Sequence, residues 1–127
     1  MTIDVLTLFP GALQTYLAES IVCRAQTKQA LCVRIGNIRD YTHDKHGTVD
    51  DAPYGGGPGM VLKPEPIFEA LDLRGLWSAH KVYLTPQGRT LTHAVALELA
   101  AQPHLLLLCG HYEGVDQRVL DVMDDEL

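Results

Sequence analysis

Apolar runs of strand length alternate along this chain with apolar residues at helical spacing. The runs that predict strands are Ile3–Phe9, Cys32–Ile38, Val82–Leu84 and Leu105–Cys109. The segments with helical spacing are Leu13–Gln29, Ile67–Leu73, His93–Ala101 and Val115–Met123. This alternation predicts an α/β fold in which helices cover a largely parallel sheet. The continuous leucine run at 105–108 is typical of a central strand that is buried on both faces.

Two of the predicted strands end in short turns that are rich in glycine or proline. One strand leads into Thr85-Pro86-Gln87-Gly88, and the other leads into Gly110-His111-Tyr112-Glu113-Gly114. Open α/β sheets bind ligands beyond the carboxyl ends of their strands. If the two strands are neighbours, the turns form opposite sides of one pocket, whose exposed backbone groups suit a neutral heteroaromatic ligand such as adenine. The alternative is that both turns are ordinary connections between a strand and a helix.

The segment Asp50–Met60 contains four glycines and two prolines in eleven residues. Glycine costs about 1 kcal/mol and proline about 3 kcal/mol inside a regular element, so this segment is predicted to be a loop. The backbone of such a loop can approach a ligand closely, which suggests recognition of a bulky polar partner. An ordinary surface loop is the alternative. The spacing matches neither the nucleotide P-loop nor the dinucleotide fingerprint.

Composition indicates one soluble globular domain, since 46% of the 127 residues are hydrophobic and 20% are charged. The amino terminus has no basic region before its apolar stretch, and no window of 18 apolar residues exists, so neither a signal peptide nor a membrane span is expected. The three cysteines form no CxxC pair. We therefore expect reduced thiols and a cytoplasmic protein, with Cys109 as a packing residue.

The negative net charge of the chain would disfavour nucleic-acid binding, but the charge is unevenly distributed. The net charge is −6, but the segment 113–127 alone holds six acids and one arginine. The segment 23–63 holds six basic residues and four acids. This modest basic stretch fits an RNA partner, although surface solubility explains the same count. The sequence His43-Asp44-Lys45-His46 lacks a convincing third and fourth ligand, so no metal site is predicted there.

Four segments together resemble one protein family. TLFP, VDDAPYGGGPGMVLKPEP, VYLTPQG and LLCGHYEGVDQR stand in the order and spacing of the bacterial tRNA (guanine-N1)-methyltransferases, the TrmD family of the SPOUT class. The resemblance spans essentially the whole chain. It implies a parallel-sheet domain with a deep trefoil knot, S-adenosylmethionine as the cofactor and a homodimer. It also implies methylation of a tRNA at N1 of the guanosine immediately 3′ of the anticodon.

The resemblance also implies which residues hold the cofactor. They are Tyr83, Leu84, Thr85, Pro86 and Gly88 in the first turn, and Gly110, Tyr112, Glu113 and Gly114 in the second. A side chain at position 110 is expected to fill ligand space and to obstruct the dihedral angles of the turn. Glu113 is a candidate for binding a polar group or assisting magnesium, although a carboxylate is favoured at a helix start in any case. His111 stands where relatives have arginine, and either side chain reaches phosphate or the methionine carboxylate unless it is simply exposed.

The glycine-rich loop resembles the family's loop that lies against the target guanosine and the partner subunit. The residues carried over as substrate-binding are Asp50, Asp51, Tyr54, Gly55, Gly56, Gly57, Pro58 and Gly59. A carboxylate at Asp50 or Asp51 can accept hydrogen bonds from guanine N1–H and the exocyclic amine. The simpler role for these acids is to cap the loop.

Family members continue beyond the position of Leu127. We therefore expect residues 1–127 to be a truncated amino-terminal methyltransferase domain, without the knot-closing segment and the carboxyl-terminal helical domain. The family's catalytic base lies beyond Leu127, so no residue of this chain is assigned as catalytic, and the segment alone is expected to be inactive. The alternative function is a noncatalytic RNA-binding or protein-binding module that retains the glycine loop. A third, weaker alternative is an unrelated α/β domain that binds a small molecule.

Overall fold

The computed structural model describes residues 1–127 and contains seven strands and five α-helices. The strands are β1 (Thr2–Thr7), β2 (Cys32–Asn37), β3 (Asp50–Asp51), β4 (Val61–Leu62), β5 (His80–Leu84), β6 (His104–Cys109) and β7 (Asp125–Glu126). The helices are α1 (Pro10–Leu17), α2 (Ser20–Thr27), α3 (Pro64–Leu73), α4 (His93–Ala100) and α5 (Gln117–Leu120), and a 3-10 helix spans Ile38–Tyr41.

Five strands form one sheet in the order β2-β1-β6-β5-β7, and every neighbouring pair is parallel. The central strand is β6, in which Leu105, Leu106 and Leu108 are buried. The predicted α/β class, the parallel sheet and the central position of the leucine strand are therefore confirmed. The short strands β3 and β4 pair separately and antiparallel. The trefoil knot stays a prediction.

The main core lies on the face of the sheet that α3 covers. Pro64 begins α3, a position where the missing N–H group has no intrahelical partner to lose. Ile67, Ala70 and Leu71 form a buried stripe at the spacing of a single helix face. Together with strand residues such as Leu6, they belong to a cluster of 15 buried hydrophobic residues.

The opposite face of the sheet is covered more thinly. Val5 and Leu105 are buried there, outside the main cluster. The helices α1 and α2 lie against Val33 and Ile35 of β2 but bury no side chain themselves. Helix α4 buries only Val95. The two faces therefore contribute unequally to the core.

Two helix predictions differ from the structure. The segment Leu13–Gln29 forms two helices because Ser20 has φ 53, in the left-handed region where a right-handed helix cannot continue. The segment Val115–Met123 forms only the four-residue helix α5. Its first residue, Val115, instead makes a parallel bridge to Leu62 of β4. A long-range strand contact has replaced the predicted first helical turn.

A buried carboxylate interrupts the apolar pattern of β1. Asp4 is fully buried and accepts hydrogen bonds from Arg34, Arg74 and the His104 ring, at 2.5 Å, 2.8 Å and 2.8 Å for the nearest atoms. Burial acts to raise the pKa of Asp4, but these hydrogen bonds outweigh it and hold the pKa below its usual value. Asp4 therefore joins β1, β2, β6 and the end of α3 through hydrogen bonds, two of which are ion pairs with arginine.

Candidate functional site

The turns that follow β5 and β6 enclose a cavity of about 590 Å³. Because β5 and β6 are adjacent, with Tyr83 opposite Leu108, both turns leave the same edge of the sheet. All residues predicted to hold a cofactor line this cavity except Gly88. They are Tyr83, Leu84, Thr85, Pro86, Gly110, Tyr112, Glu113 and Gly114. The structure thus brings the two sequence segments together at one site.

Gly110 makes room for the side chain of Tyr83. A Cβ atom at position 110 would lie 2.8 Å from the Tyr83 hydroxyl oxygen and 2.9 Å from its Cε2 atom. Position 110 does not have a positive φ, so the expectation that its dihedral angles require glycine is wrong. Close packing is the cause instead, because Tyr83 is 6% exposed and has little space in which to move.

Gly88 packs against the backbone of β7 and lies outside the cavity lining. A Cβ atom there would lie 2.5 Å from the carbonyl carbon of Glu126 and 2.5 Å from the nitrogen of Leu127. The N–H groups of Thr85 and Arg89 donate to the carbonyls of Leu127 and Glu126, at 2.7 Å and 3.0 Å. The close approach at Gly88 therefore allows β7 to dock on the turn after β5.

The turn after β6 carries unpaired backbone donors. The N–H groups of His111, Tyr112 and Gly114 have no backbone acceptor, and each of these residues lines the cavity. Tyr112 has φ 59, which is uncommon for a residue other than glycine. Such conformations occur often at ligand sites, where the surrounding structure enforces them. The turn can therefore supply hydrogen bonds to the acceptor atoms of a ligand.

The lining of the cavity contains acidic groups but no lysine or arginine. Its carboxylates are Glu113 and Glu126. Burial raises the pKa of Tyr83, and the nearby charge of Glu126 raises it further. Negative charge in a cleft attracts cations and repels phosphate groups. The cavity consequently suits a ligand that carries positive charge and no phosphate.

Aromatic rings meet at the rim of the cavity. The His111 ring lies edge-to-face with Phe9 at a centroid distance of 5.1 Å and with Tyr112 at 4.9 Å. His111 is exposed, as one of the two sequence-based alternatives predicted. Its ring nevertheless packs against two other rings. Sequence reasoning missed Phe9 as a neighbour of this site. The signal for it was its position directly after β1, which borders β6 in the sheet.

The glycine loop is joined to the cavity by backbone hydrogen bonds. Glu113 N–H donates to the Met60 carbonyl at 3.0 Å, and Leu62 N–H donates to the Gly114 carbonyl at 2.9 Å. At Gly59, which has φ 78, a Cβ atom would overlap the Glu113 side chain. Glycine at 59 therefore allows the loop to pass directly over a cavity residue.

The rest of the loop projects from the protein. Gly55, Gly56 and Gly57 have positive φ values, and a Cβ atom at any of them would meet nothing within 4 Å. Pro58 and Tyr54 are exposed. Asp50 and Asp51 lie at the base of the loop in β3, outside the cavity lining. These predicted substrate residues therefore form a surface beside the cavity.

A second concavity of about 520 Å³ separates the loop from the segment 115–118. Pro53, Tyr54 and Val61 line one side, and the other side consists of Val115, Asp116, Gln117 and Arg118. We call this concavity the loop groove. Sequence reasoning missed the contribution of segment 115–118, because only the bridge between Leu62 and Val115 brings it to the loop.

No three side chains of His, Cys, Asp or Glu gather as a metal site. His43 Nε2 lies 2.5 Å from Glu69 Oε2, and hydrogen bonds from Thr48 lower the pKa of Asp44.

Cys109 is half-buried, and burial raises the pKa of its thiol. None of the helices has the length and apolarity needed to cross a membrane.

Fold and site together define an α/β domain with a cavity at the carboxyl edge of its parallel sheet. Over residues 1–127, the chain matches the family described as tRNA (Guanine-1)-methyltransferase TrmD, and it belongs to that family. The family resemblance given by the four sequence segments is thereby confirmed.

Relatives and a solved structure agree with this membership. The tRNA (guanine-N(1)-)-methyltransferase of Protochlamydia amoebophila is 50% identical over 126 residues, which are 99% of this chain and 57% of that protein. The protein of the same name from Dehalococcoides mccartyi is 52% identical over 122 residues, 94% of this chain and 49% of the relative. The crystal structure of tRNA (m1G37) methyltransferase from Aquifex aeolicus has a TM-score of 0.89 at 38% identity, covering 99% of this chain and 58% of that one. This chain thus spans about half the length of the relatives it matches.

Proposed function

We propose that this chain is the amino-terminal part of a tRNA methyltransferase that modifies N1 of the guanosine immediately 3′ of the anticodon. The observation that carries the proposal is the direct joining of two sites. Backbone hydrogen bonds link the cavity turn at Glu113 and Gly114 to Met60 and Leu62, at the end of the glycine loop. A cofactor in the cavity and a nucleotide against the loop would therefore be neighbours, as transfer of a group between them requires.

The cofactor of the proposed enzyme is S-adenosylmethionine, and the cavity residues fit it. When bound, this cofactor supplies an electrophilic methyl group on a positively charged sulfur. Glu113 and Glu126 favour such a charge, while the absence of lysine and arginine from the lining disfavours phosphate-bearing nucleotides. The unpaired N–H groups of the turn after β6 are suitable donors to the ring nitrogens and hydroxyls of an adenosine.

Asp50 is the better of the two loop acids for reading guanine. The Asp51 carboxylate already accepts a hydrogen bond from the N–H of Ala52 at 2.7 Å, which supports its expected role as a cap. Asp50 makes no such bond, is half-buried and starts the same loop. A free carboxylate can accept both N1–H and the exocyclic amine of guanine. We therefore assign Asp50, and not Asp51, to the base.

The remaining expectations are part of the same proposal. Mg²⁺ commonly binds through one or two carboxylates and keeps several waters, so Glu113 is our candidate for holding it. The free thiols of Cys23, Cys32 and Cys109 fit a reducing compartment, the cytoplasm. We also propose that the knot-closing segment, the catalytic base and a helical carboxyl-terminal domain belong to sequence outside residues 1–127.

A homodimer is the proposed assembly. Neither α1 nor α2 buries a side chain, and the pair exposes Tyr16 by 73% and Ile21 by 69%. A second copy packed on these helices would remove that apolar surface from water, in addition to the contact with the partner subunit that the family resemblance implies for the glycine loop. Sedimentation equilibrium is expected to show a dimer that Ile21→Glu weakens. A monomer at all concentrations would contradict this part of the proposal.

Calorimetric titration with S-adenosylhomocysteine tests the cofactor assignment. We expect measurable binding, at least tenfold weaker binding by Gly110→Ala, and no binding of ATP. Gly11→Ala is the matched control, because a Cβ atom at position 11 meets nothing within 4 Å. Equal affinity in Gly110→Ala and the unchanged chain would overturn the cavity assignment.

Fluorescence anisotropy with an anticodon stem-loop RNA tests the substrate. We expect binding in the presence of S-adenosylhomocysteine that weakens for Asp50→Asn and remains unchanged for Asp51→Asn. RNA binding without any cofactor affinity would favour the alternative of a noncatalytic RNA-binding module. In that case, raising the salt concentration should weaken binding steeply with or without the cofactor.

A further inference from the structure

Lys81 is a buried cation in β5, two positions before Tyr83 of the cavity lining. The residue is 7% exposed. Its Nζ atom donates to the carbonyls of Trp77 and Ala79, both at 3.1 Å, and lies 2.9 Å from Oδ2 of Asp124. An ammonium group has three N–H groups, so each of them has a partner here. Lys81 is therefore fixed, since any other position would leave a buried charge without partners.

Asp124 is joined to Lys81 through both its backbone and its side chain. The Asp124 N–H donates to the Lys81 carbonyl at 2.8 Å. In return, Asp124 Oδ2 accepts the backbone N–H of Lys81 at 2.7 Å, in addition to the contact with Nζ. Burial acts to raise the pKa of Asp124, but the hydrogen bonds from Lys81 outweigh it and lower the pKa. All these contacts can form together only when Asp124 lies directly beside Lys81.

The Lys81–Asp124 pair fixes the register in which β7 pairs with β5. Strand β7 has only two residues, of which Glu126 lies opposite Tyr83. Residues two positions apart in an extended strand share a face, so Asp124 beside Lys81 places Glu126 beside Tyr83. A slip of one residue would turn Glu126 to the other face of the sheet, away from the cavity.

Two other contacts hold β7, but they specify its register less well. Arg89 pairs with Asp125, yet the Arg89 side chain is 41% exposed, and exposed ion pairs contribute little. Gly88 packs against the backbone of Glu126 and Leu127. Such packing does not depend on which side chains the packed segment carries. The Lys81–Asp124 pair is therefore the buried side-chain contact that distinguishes one register from another.

We propose that Lys81 and Asp124 are positioning residues for the cofactor, which set the register of β7 and thereby hold the Glu126 carboxylate in the cavity lining. Neither Lys81 nor Asp124 lines the cavity itself. The inference rests on the proposed function, because it takes a ligand with a positively charged sulfur to occupy the cavity. Glu126, once placed there, favours the charged sulfur over a neutral one.

Calorimetric titration with S-adenosylmethionine and S-adenosylhomocysteine tests the proposal, because only the first ligand carries a charged sulfur. Lys81→Met should lower the ratio of the first affinity to the second by roughly two- to fivefold, as expected from loss of a partly exposed charge pair. Removal of a positive charge would by itself favour a cationic ligand and raise this ratio, so the two causes differ in sign. Lys28→Met is the matched control, because Lys28 is exposed at the end of α2. It should leave the ratio unchanged.

A double-mutant cycle shows whether Lys81 acts through Glu126. In a chain that carries Glu126→Gln, Lys81→Met should not lower the ratio further, because the carboxylate that it positions is already gone. Asp124→Asn removes the charge of the pair but keeps one acceptor oxygen. It should lower the ratio by a smaller factor, and again only while Glu126 is present. Its side chain is 42% exposed, so this variant carries the test if circular dichroism shows that Lys81→Met does not fold.

Three results would count against the proposal. If both ligands bind the unchanged chain and the ratio stays the same in the folded variants, or rises in Lys81→Met, the positioning role is overturned while the proposed function stands. If Lys81→Met lowers the ratio by the same factor with and without Glu126, the role is also overturned, because Lys81 then acts by another route. If neither ligand binds the unchanged chain, the cofactor part of the proposed function fails together with this inference.

Discussion

The hydroxyl of Tyr83 occupies the space that a side chain at Gly110 would need. The hydroxyl oxygen would lie 2.8 Å from a Cβ atom at position 110, and Tyr83, which belongs to β5, is buried. The two residues are adjacent only because β5 and β6 pair in register, with Leu84 opposite Cys109. The shape of the cavity beyond β5 and β6 therefore depends on the fit between these two residues.

This fit predicts that substitutions at Gly110 and Tyr83 are coupled. Gly110→Ala should destabilise the domain by about 1–3 kcal/mol, the usual cost of overpacking, as measured by urea unfolding. Adding Tyr83→Phe removes the nearest clashing atom and should recover part of this loss, although Cε2 remains 2.9 Å away. Strictly additive effects of the two substitutions would contradict the clash as the cause.

Gly88→Ala should detach β7 from the sheet. A methyl group at position 88 would lie 2.5 Å from backbone atoms of Glu126 and Leu127, and a backbone cannot rotate away as a side chain can. Hydrogen exchange should therefore accelerate at the N–H groups of Thr85 and Arg89, which donate to β7 and the residue after it. The same measurement on Gly11→Ala should show protection equal to that of the unchanged chain.

Local sequence patterns predicted the parts of the fold that depend on composition and periodicity. The leucine run of β6 is typical of a strand covered on both sides, and the apolar spacing of Ile67–Leu73 predicted most of α3. The meeting of the two turns at one cavity followed from one general rule, that parallel strands end at a common edge. These predictions needed no knowledge of which distant residues meet.

The features of the site that sequence reasoning missed depend on long-range contacts, unlike the local break between α1 and α2 at Ser20. Val115 was assigned to a helix, but its bridge to Leu62 prevents that. The same bridge brings Arg118 to Tyr54, more than sixty positions apart in the chain. The dihedral reason given for glycine at position 110 was wrong, because the obstruction to a side chain there comes from Tyr83 on another strand. No local pattern contains this information.

The acidic lining predicts a preference for the charged form of the cofactor. Glu126→Gln should weaken binding of S-adenosylmethionine more than binding of S-adenosylhomocysteine, whose sulfur is neutral, by roughly two- to fivefold, as expected of a partly exposed charge pair. Calorimetric titration of both ligands gives this ratio directly. Glu98→Gln is a suitable control, because Glu98 is exposed on α4 and pairs with Arg89 outside the cavity. An unchanged ratio in Glu126→Gln would show that the charge does not contribute.

Acid should destabilise the domain through its buried and paired carboxylates. Hydrogen bonds from Arg34, Arg74 and His104 overcome the opposing effect of burial and lower the pKa of Asp4. In the unfolded chain the pKa of an aspartate is about 3.9. The contribution of Asp4 to stability is therefore complete at pH values above this pKa, and it is lost as the pH falls through the lower pKa of the folded state. The contribution of Asp4 to the free energy of unfolding should stay constant between about pH 7 and pH 5. At pH values below about 4, the free energy of unfolding should decrease. A stability that rises on acidification below pH 4 would contradict the assignment.

Asp4→Asn should be the most destabilising of these substitutions. The carboxylate is fully buried and holds Arg34, Arg74 and His104. The amide keeps the shape but removes the charge, and its NH₂ group cannot accept from any of these donors. Breaking a buried charge network in this way typically costs about 3–5 kcal/mol. Urea unfolding at pH 7 measures the loss, with Asp121→Asn as the exposed control. A change below about 1 kcal/mol would contradict this role, because it would mean that the three partners are as well satisfied without Asp4. The buried Nε atom of Arg74, which already lacks a partner, argues against that outcome.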